Sequence, residues 1–455
     1  MRTRVLIPTG AIGLGFDPDA LARGVAMRPD VICVDGGSTD SGPYYLGTGT
    51  SKYSRAATKA EWRALMLARA EAGVPLIVGT AGTCGTDTTV DWMVGITEEL
   101  ARELGQQIKI ARVYSSQDPV ATAKLWEDQV RPLHPIQDVG AEAVSKLSNV
   151  VALAGTEQIA AALATGADIV VAGRTTDTAT IAAMPIQRGA LPGGAWHGAK
   201  IGECGALCST NPTSGVICID FDPEGFTVEP MAEGARCTPD LVAAHMLYEN
   251  ADPFILHEPG GHLDVTDATY EALDARRVRV TGSRWVPGPY TVKLEGARLA
   301  GYQSTVLVLL REPRYVANAS AWVERLSGFL ETEIANRMAL TSPADYTLDF
   351  RLIGQSATLG ALETLPPTAP EVGVMAIVTA ASQARASEIA KLANPFLLHY
   401  PLTDDEPQAT FAFPFSPADT ARGPLYEFVL NHIRTLDDPM SAFRIEVSEV
   451  THAPA

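Results

Sequence analysis

Three stretches of this chain share one chemical design: "VDGGSTD" (34–40), "VGTAGTCGTD" (78–87) and "VAGRTTD" (171–177). Each leaves an apolar run through Gly, passes through hydroxyl residues and ends in Thr-Asp or Ser-Thr-Asp. Carboxylates in such loops can take up or release protons, and a cluster of them can hold Mg2+, which needs one or two carboxylates and keeps its waters. Asp35 and Asp177 are therefore catalytic candidates, and Asp35, Asp40 and Asp87 are candidates for a metal. Ser38, Thr39 and Thr83 are candidates for binding substrate through their hydroxyls, with Thr86, Thr175 and Thr176 on the same rim. The competing explanation is helix capping, because Ser, Thr and Asp before a helix accept an otherwise unpaired backbone N–H for about 1 kcal/mol. Gly density argues for a ligand, since close backbone approach needs Gly and a cap does not.

Other residues extend the set. Arg174, at the end of the "DIVVAG" run, presents a guanidinium that forks onto a carboxylate or phosphate, and Lys52 and Arg55 add positive charge from the first loop. "GAKIGECGALC" (198–208) places Glu203 among glycines as a third catalytic candidate, next to Cys204 and Cys208. A nucleophilic Cys204 would need a base or a positive field to form its thiolate, and His197 is the nearest histidine in sequence; packing as a small apolar residue is the alternative. "HEPGGHLD" (257–264) spaces His257 and His262 around Pro-Gly-Gly, which reads as a turn rather than the one-face helical pair of a metalloprotease. In "YTVKLEGA" (290–297), Lys293 and Glu295 fall on the same face of a strand, as a surface ion pair or as substrate ligands.

The elements that must position these residues alternate. Apolar runs at "RVLIP", "DVICVD", "PLIVGT", "IKIARVY", "NVVALAG" and "ADIVVAG" are separated by helical patterns such as 59–73 and 88–105. Strands that are apolar throughout, joined by helices, predict βαβ units and a parallel sheet covered on both faces. Ligands of such sheets sit beyond the carboxyl ends of the strands, where the three loops fall. The loop from Asp35 to Arg55 is far longer than a simple connection and is expected to line the main pocket. No Gly-rich turn has the spacing of a dinucleotide or P-loop motif. Past residue 215 the pattern changes to strands with short turns, a helix over 320–339, and strand, helix, strand over 371–402. The fold class expected is α/β, with an N-terminal parallel-sheet domain (1–215) and an α+β domain (216–455) that completes a site between them. The 364–371 segment reads as a surface loop and the last residues as a frayed tail.

The totals narrow the function. With 455 residues and 46% hydrophobic content the chain can bury a large core, and its 35 basic against 53 acidic residues leave a net charge of −18. That charge opposes nucleic acid and anionic membranes, so a small anionic substrate would need a local positive pocket. Six cysteines without C-x2-C spacing suit a reducing, cytoplasmic setting. No run is long enough for a membrane span.

Together "VDGGSTDSGPYYLGTG", "AGRTTDTA", "GECGALC", "EPGGHLD" and "YTVKLEGA" resemble the acyclic terpene utilisation family of AtuA type. The resemblance covers most of the chain and reaches Asp35 to Asp40, Gly173, Arg174, Asp177, Glu203, Cys204, Lys293 and Glu295. It implies cytosolic catabolism of a branched carboxylic acid or its CoA thioester and a small partner subunit, and it transfers no catalytic role. A homo-oligomer is also expected. Two classes of function stay open: a lyase of the hydratase type without a redox cofactor, with Mg2+ as its candidate metal, or a non-catalytic acyl-CoA-binding or assembly subunit of a carboxylase-type complex. A hydrolase using Cys204 or Ser38 is the third.

Overall fold

The computed structural model describes residues 2–133 and 139–451, so the reading of a frayed tail past 451 lies outside the described residues. The chain forms two compact units, Met1–Arg298 with Phe428–Ala455, and Leu299–Glu427.

The first unit is an α/β fold. Five parallel strands, Thr3–Ile7, Val31–Asp35, Leu76–Gly79, Ile169–Ala172 and Ile108–Tyr114, lie side by side in that order. Val31–Asp35, Leu76–Gly79 and Ile169–Ala172 are short runs buried throughout, which is why the sequence shows no alternation there, while Arg4, Lys109 and Arg112 interrupt the two outer strands. Val5, Ile7, Val31, Cys33, Ile77 and Val170 pack on one side of the sheet, and Leu6, Ile32, Leu76, Val78, Ile110 and Ile169 on the other. Helices Arg55–Ala72 and Asp87–Leu104 cover the second of these faces with Trp62, Leu65, Val90 and Ile96, and helices Thr156–Ala164 and Asp177–Gln187 cover the first with Ile159, Ala162 and Ile181. Both long helices end on a left-handed Gly, Gly73 and Gly105.

Antiparallel strands extend this sheet to ten. Ile217–Phe221, Gly225–Pro230, Val278–Thr281 and Thr269–Ala272 continue it beyond Thr3–Ile7, and Arg444–Val450 closes the other edge. The change of rhythm after residue 215 therefore marks a change from parallel to antiparallel strands within one sheet, and the compact units do not divide at 215/216. "NVVALAG" also differs from expectation. Asn149–Ala152 pairs antiparallel with Ser116–Gln117 and with Leu294–Ala297 rather than joining the parallel strands.

In the second unit, Tyr346–Ile353, Val372–Ala380 and the stretch Tyr302–Leu310 form an antiparallel sheet. Helices Ala319–Met338 and Gln383–His399 bury Trp322, Leu326, Leu330, Ile389 and Leu397 with the apolar side chains of these strands. The strand expected near residue 398 is instead the end of the second helix, which continues through Pro395 to His399.

Candidate functional site

The three Gly-rich loops meet at the carboxyl ends of their strands, and they do so by packing on one another. A Cβ on Gly36 would lie 2.7 Å from the carbonyl oxygens of Gly79 and Thr80, and one on Gly173 would lie 2.8 Å from that of Gly85. Gly85, at φ +64, would place a Cβ 2.2 Å from the Arg174 nitrogen, so only Gly satisfies both the backbone angle and the space. The glycines thus serve loop-on-loop contact, and the inference from Gly density to ligand approach does not hold at these positions. The interlock is hydrogen-bonded: Thr80 N–H donates to Gly173 O (2.9 Å), Thr83 N–H to Gly36 O (3.1 Å) and Arg174 N–H to Gly85 O (3.0 Å).

Beside this interlock opens a cavity of about 600 Å³. Asp35, Ser38, Asp40, Lys52 and Tyr53 line it from the loop that follows the second strand, Asp177 from the last, and Glu203 and Cys204 from the turn after helix Pro192–Gly202. Tyr248 and Glu249 come from beyond residue 215. The lip is apolar, with Leu14 and Leu207 lining it while 68% and 44% exposed. Five carboxylates, Asp35, Asp40, Asp177, Glu203 and Glu249, and a single basic residue, Lys52, are among the lining residues.

Arg174 does not reach the cavity wall. It is 6% exposed, and its Nε donates to Glu295 Oε2 at 3.0 Å while Nη1 reaches Thr80 Oγ1 (3.2 Å), the Thr175 carbonyl (3.0 Å) and Asp177 Oδ1 (3.5 Å). Glu295 also accepts from Thr39 Oγ1 (2.9 Å) and pairs with Lys293 Nζ at 2.8 Å. Burial opposes ionisation of Glu295, yet Arg174 and then Lys293 hold its carboxyl down at about 2. The fork expected to bind substrate is committed to a protein carboxylate. Arg174, Glu295, Lys293, Thr39 and Thr83 are behind or beside the cavity rather than lining it; Thr83 is fully buried and its Oγ1 accepts the Lys52 N–H at 3.0 Å.

This buried network acts on two of the three aspartates that face the cavity, Asp35 and Asp177. Burial is the largest cause raising the Asp35 carboxyl well above the usual range, Asp177 adds to it, and Arg174 opposes it. Burial also raises Asp177, with Arg174 the first opposing influence. Both carboxyls are pushed toward the protonated form, Asp35 the more strongly, while Asp177, 3.5 Å from the guanidinium, has its charged form favoured by Arg174. The capping explanation for Asp177 fails, since the cap of helix Asp177–Gln187 is Thr176, whose Oγ1 accepts the Ala179 N–H at 3.2 Å.

Asp87 lies elsewhere: it exchanges hydrogen bonds with Ser116, its N–H donating to Ser116 Oγ (2.9 Å) and its Oδ1 accepting the Ser116 N–H (3.0 Å), and it lines a separate small depression. Asp35, Asp40 and Asp87 do not converge on a common coordination sphere among the described residues; the group that does is Glu203, Cys204 and His245. Glu203 forms an ion pair with the buried Lys200, and burial lifts its carboxyl to about 8. Burial, then Glu203, raises the Cys204 thiol, the opposite of what a nucleophile needs. His197 is no base for it: its Nδ1 is 2.7 Å from Ser283 Oγ and its Nε2 3.2 Å from Tyr270 Oη, and burial lowers it to about 3. "HEPGGHLD" forms a β-hairpin with His257 opposite His262, as a turn reading requires.

Lys200, His245, Tyr248 and Glu249 were not singled out in the sequence. Lys200 had a signal, its i,i+3 spacing to Glu203 at a helix end; His245 had none, being 41 residues beyond Cys204.

The molecule is an α/β protein with an acidic, apolar-lipped cavity at the carboxyl ends of its parallel strands, the place where such sheets commonly bind ligands. A family model described as acyclic terpene utilisation family protein AtuA matches residues 48–188 and 210–403, and the chain belongs to that family. No curated protein and no solved structure matches it.

Proposed function

We propose that the chain is a catabolic lyase of the hydratase type acting on a branched acyl substrate, with Asp177 as base and Asp35 as acid. The observation that carries this reading is the pair itself: two carboxylates facing one cavity, one beside a buried guanidinium and one pushed toward its protonated form. Environments that separate two carboxylates in this way assign acid and base roles. In hydration, Asp177 accepts a proton from water as its oxygen bonds to the β-carbon, and the double-bond electron pair moves to the α-carbon, which takes the Asp35 proton. The reverse sequence expels water. Leu14 and Leu207 suit an apolar branched chain. The five lining carboxylates favour the neutral carbonyl of a thioester over a free carboxylate at the reacting end, because a second anion would meet Coulomb repulsion.

The test is a panel of branched 2-enoyl thioesters and the corresponding free acids, followed by loss of the conjugated absorbance. Turnover of thioesters that is lost in Asp177→Asn, with unchanged melting temperature, is expected. Tight binding of acyl-CoA without turnover would instead identify a non-catalytic acyl-binding subunit.

A further inference from the structure

Three side chains with no shared sequence motif come together in the acidic part of this site. One ligand atom from each of Glu203, Cys204 and His245 lies within 4.8 Å of the other two. Glu203 and Cys204 line the cavity, so a group held between the three would be open to a small molecule inside it. The second observation is His245 itself. It is 6% exposed, and its Nε2 has no hydrogen-bond partner among the described residues. Buried ring nitrogens are normally satisfied, and an orphaned one needs a reason.

We propose that Glu203, Cys204 and His245 bind one divalent transition-metal ion of the zinc class, with a further coordination position open to the cavity. The donor set selects the ion: one sulfur, one imidazole nitrogen and one carboxylate oxygen suit a borderline-soft cation, whereas Mg2+ and Ca2+ require oxygen shells. Three protein ligands and an open position are the arrangement of a catalytic rather than a structural site.

Neighbouring groups hold the ligands in place. The His245 ring is buried. Tyr248 stacks on that ring, with centroids 5.4 Å apart and planes 9° from parallel, which fixes its orientation. Lys200 engages Glu203 through Oε1, leaving Oε2 for the ion. Cys204 binds as thiolate, so ion uptake breaks its S–H bond and releases that proton to solvent. The ion also supplies the positive charge that a cavity with five lining carboxylates and one lysine otherwise lacks. This assignment goes beyond the acyl-hydratase reading and stands without it, since metal binding is measured with no substrate present.

The experiment is titration of the chelator-treated full chain with Co2+, followed by absorption spectroscopy and equilibrium dialysis. One equivalent per chain is expected, with a thiolate-to-cobalt charge-transfer band in the near ultraviolet and release of a proton. Cys204→Ser, nearly isosteric, should abolish the band, and His245→Gln should weaken Co2+ binding by at least about tenfold. Cys208→Ser serves as the control that keeps the band. A wild-type spectrum without a thiolate band would overturn the proposal. A band that survives in Cys204→Ser, or that is lost in Cys208→Ser instead, would do the same. Melting curves of each variant establish that loss of the band is not loss of fold.

Discussion

At the scale of single residues, the site is governed by which charges are buried with a partner. Arg174 and Glu295 satisfy each other inside the first unit, 7% and 6% exposed at their side chains, so removing Glu295 leaves the buried guanidinium with only the longer 3.5 Å contact to Asp177 as its ion pair. Glu295→Gln is expected to destabilise the protein by about 3–5 kcal/mol, measured by denaturant unfolding. Glu258 makes a pH prediction. Burial first, and the Asp177 charge in addition, raise its carboxyl to about 7, against opposing hydrogen bonds from Thr178 and Thr176 and the charge of Lys200. A folded-state value above the unfolded one means the native protein binds more protons. The contribution is therefore fully present below about 4.5 and is lost as pH rises through about 7. Glu258→Gln should raise the melting temperature at pH 8 relative to wild type, by an amount corresponding to at most about 3 kcal/mol, and make no such gain at pH 5. An equal gain at both values would contradict the assignment. The sequence made Asp35, Asp40 and Asp177 legible as cavity residues because a polar loop after a buried strand has few other places to go, and Glu203 legible by its place among glycines. It misled on Arg174 because nothing near "AGRTTD" announces that Glu295, 121 residues later, will occupy the guanidinium.

At the scale of elements, the three strand-end loops act as one interlocked body. Gly85→Ala tests this: the added methyl would meet the Arg174 backbone at 2.2 Å from a residue at φ +64. Strain and overpacking together should cost about 2–5 kcal/mol, read by thermal or denaturant unfolding, and a neutral effect would show that the loops yield freely. Gly15, also at positive φ but with nothing within 4 Å, is the comparison site at which Ala meets only the backbone cost. The parallel strands were legible because runs such as "VICVD" are apolar on both faces. "NVVA" has the same composition yet pairs antiparallel at another place, because a short apolar run states burial and not partner. The strands after residue 215 were legible as strands; that they extend the same sheet was not, since register and neighbours are set by long-range pairing.

At the scale of the whole molecule, the net charge of −18 acts on every approaching ligand. For an anionic substrate, kcat/KM should rise with ionic strength as repulsion is screened, and a fall would indicate that a local positive field dominates. No helix among the described residues is long and apolar enough to cross a membrane. Membership of the acyclic terpene utilisation family supports the proposal of a branched acyl substrate, for which Asp35 and Asp177 on the cavity wall are the proposed acid and base. The most direct test of the account is solvent-deuterium incorporation at the α-carbon of branched acyl thioesters, followed by mass spectrometry with wild type, Asp177→Asn and Glu258→Gln. The account predicts one deuterium per turnover with wild type and Glu258→Gln, and none with a folded Asp177→Asn. Deuterium incorporation that persists in Asp177→Asn would contradict it.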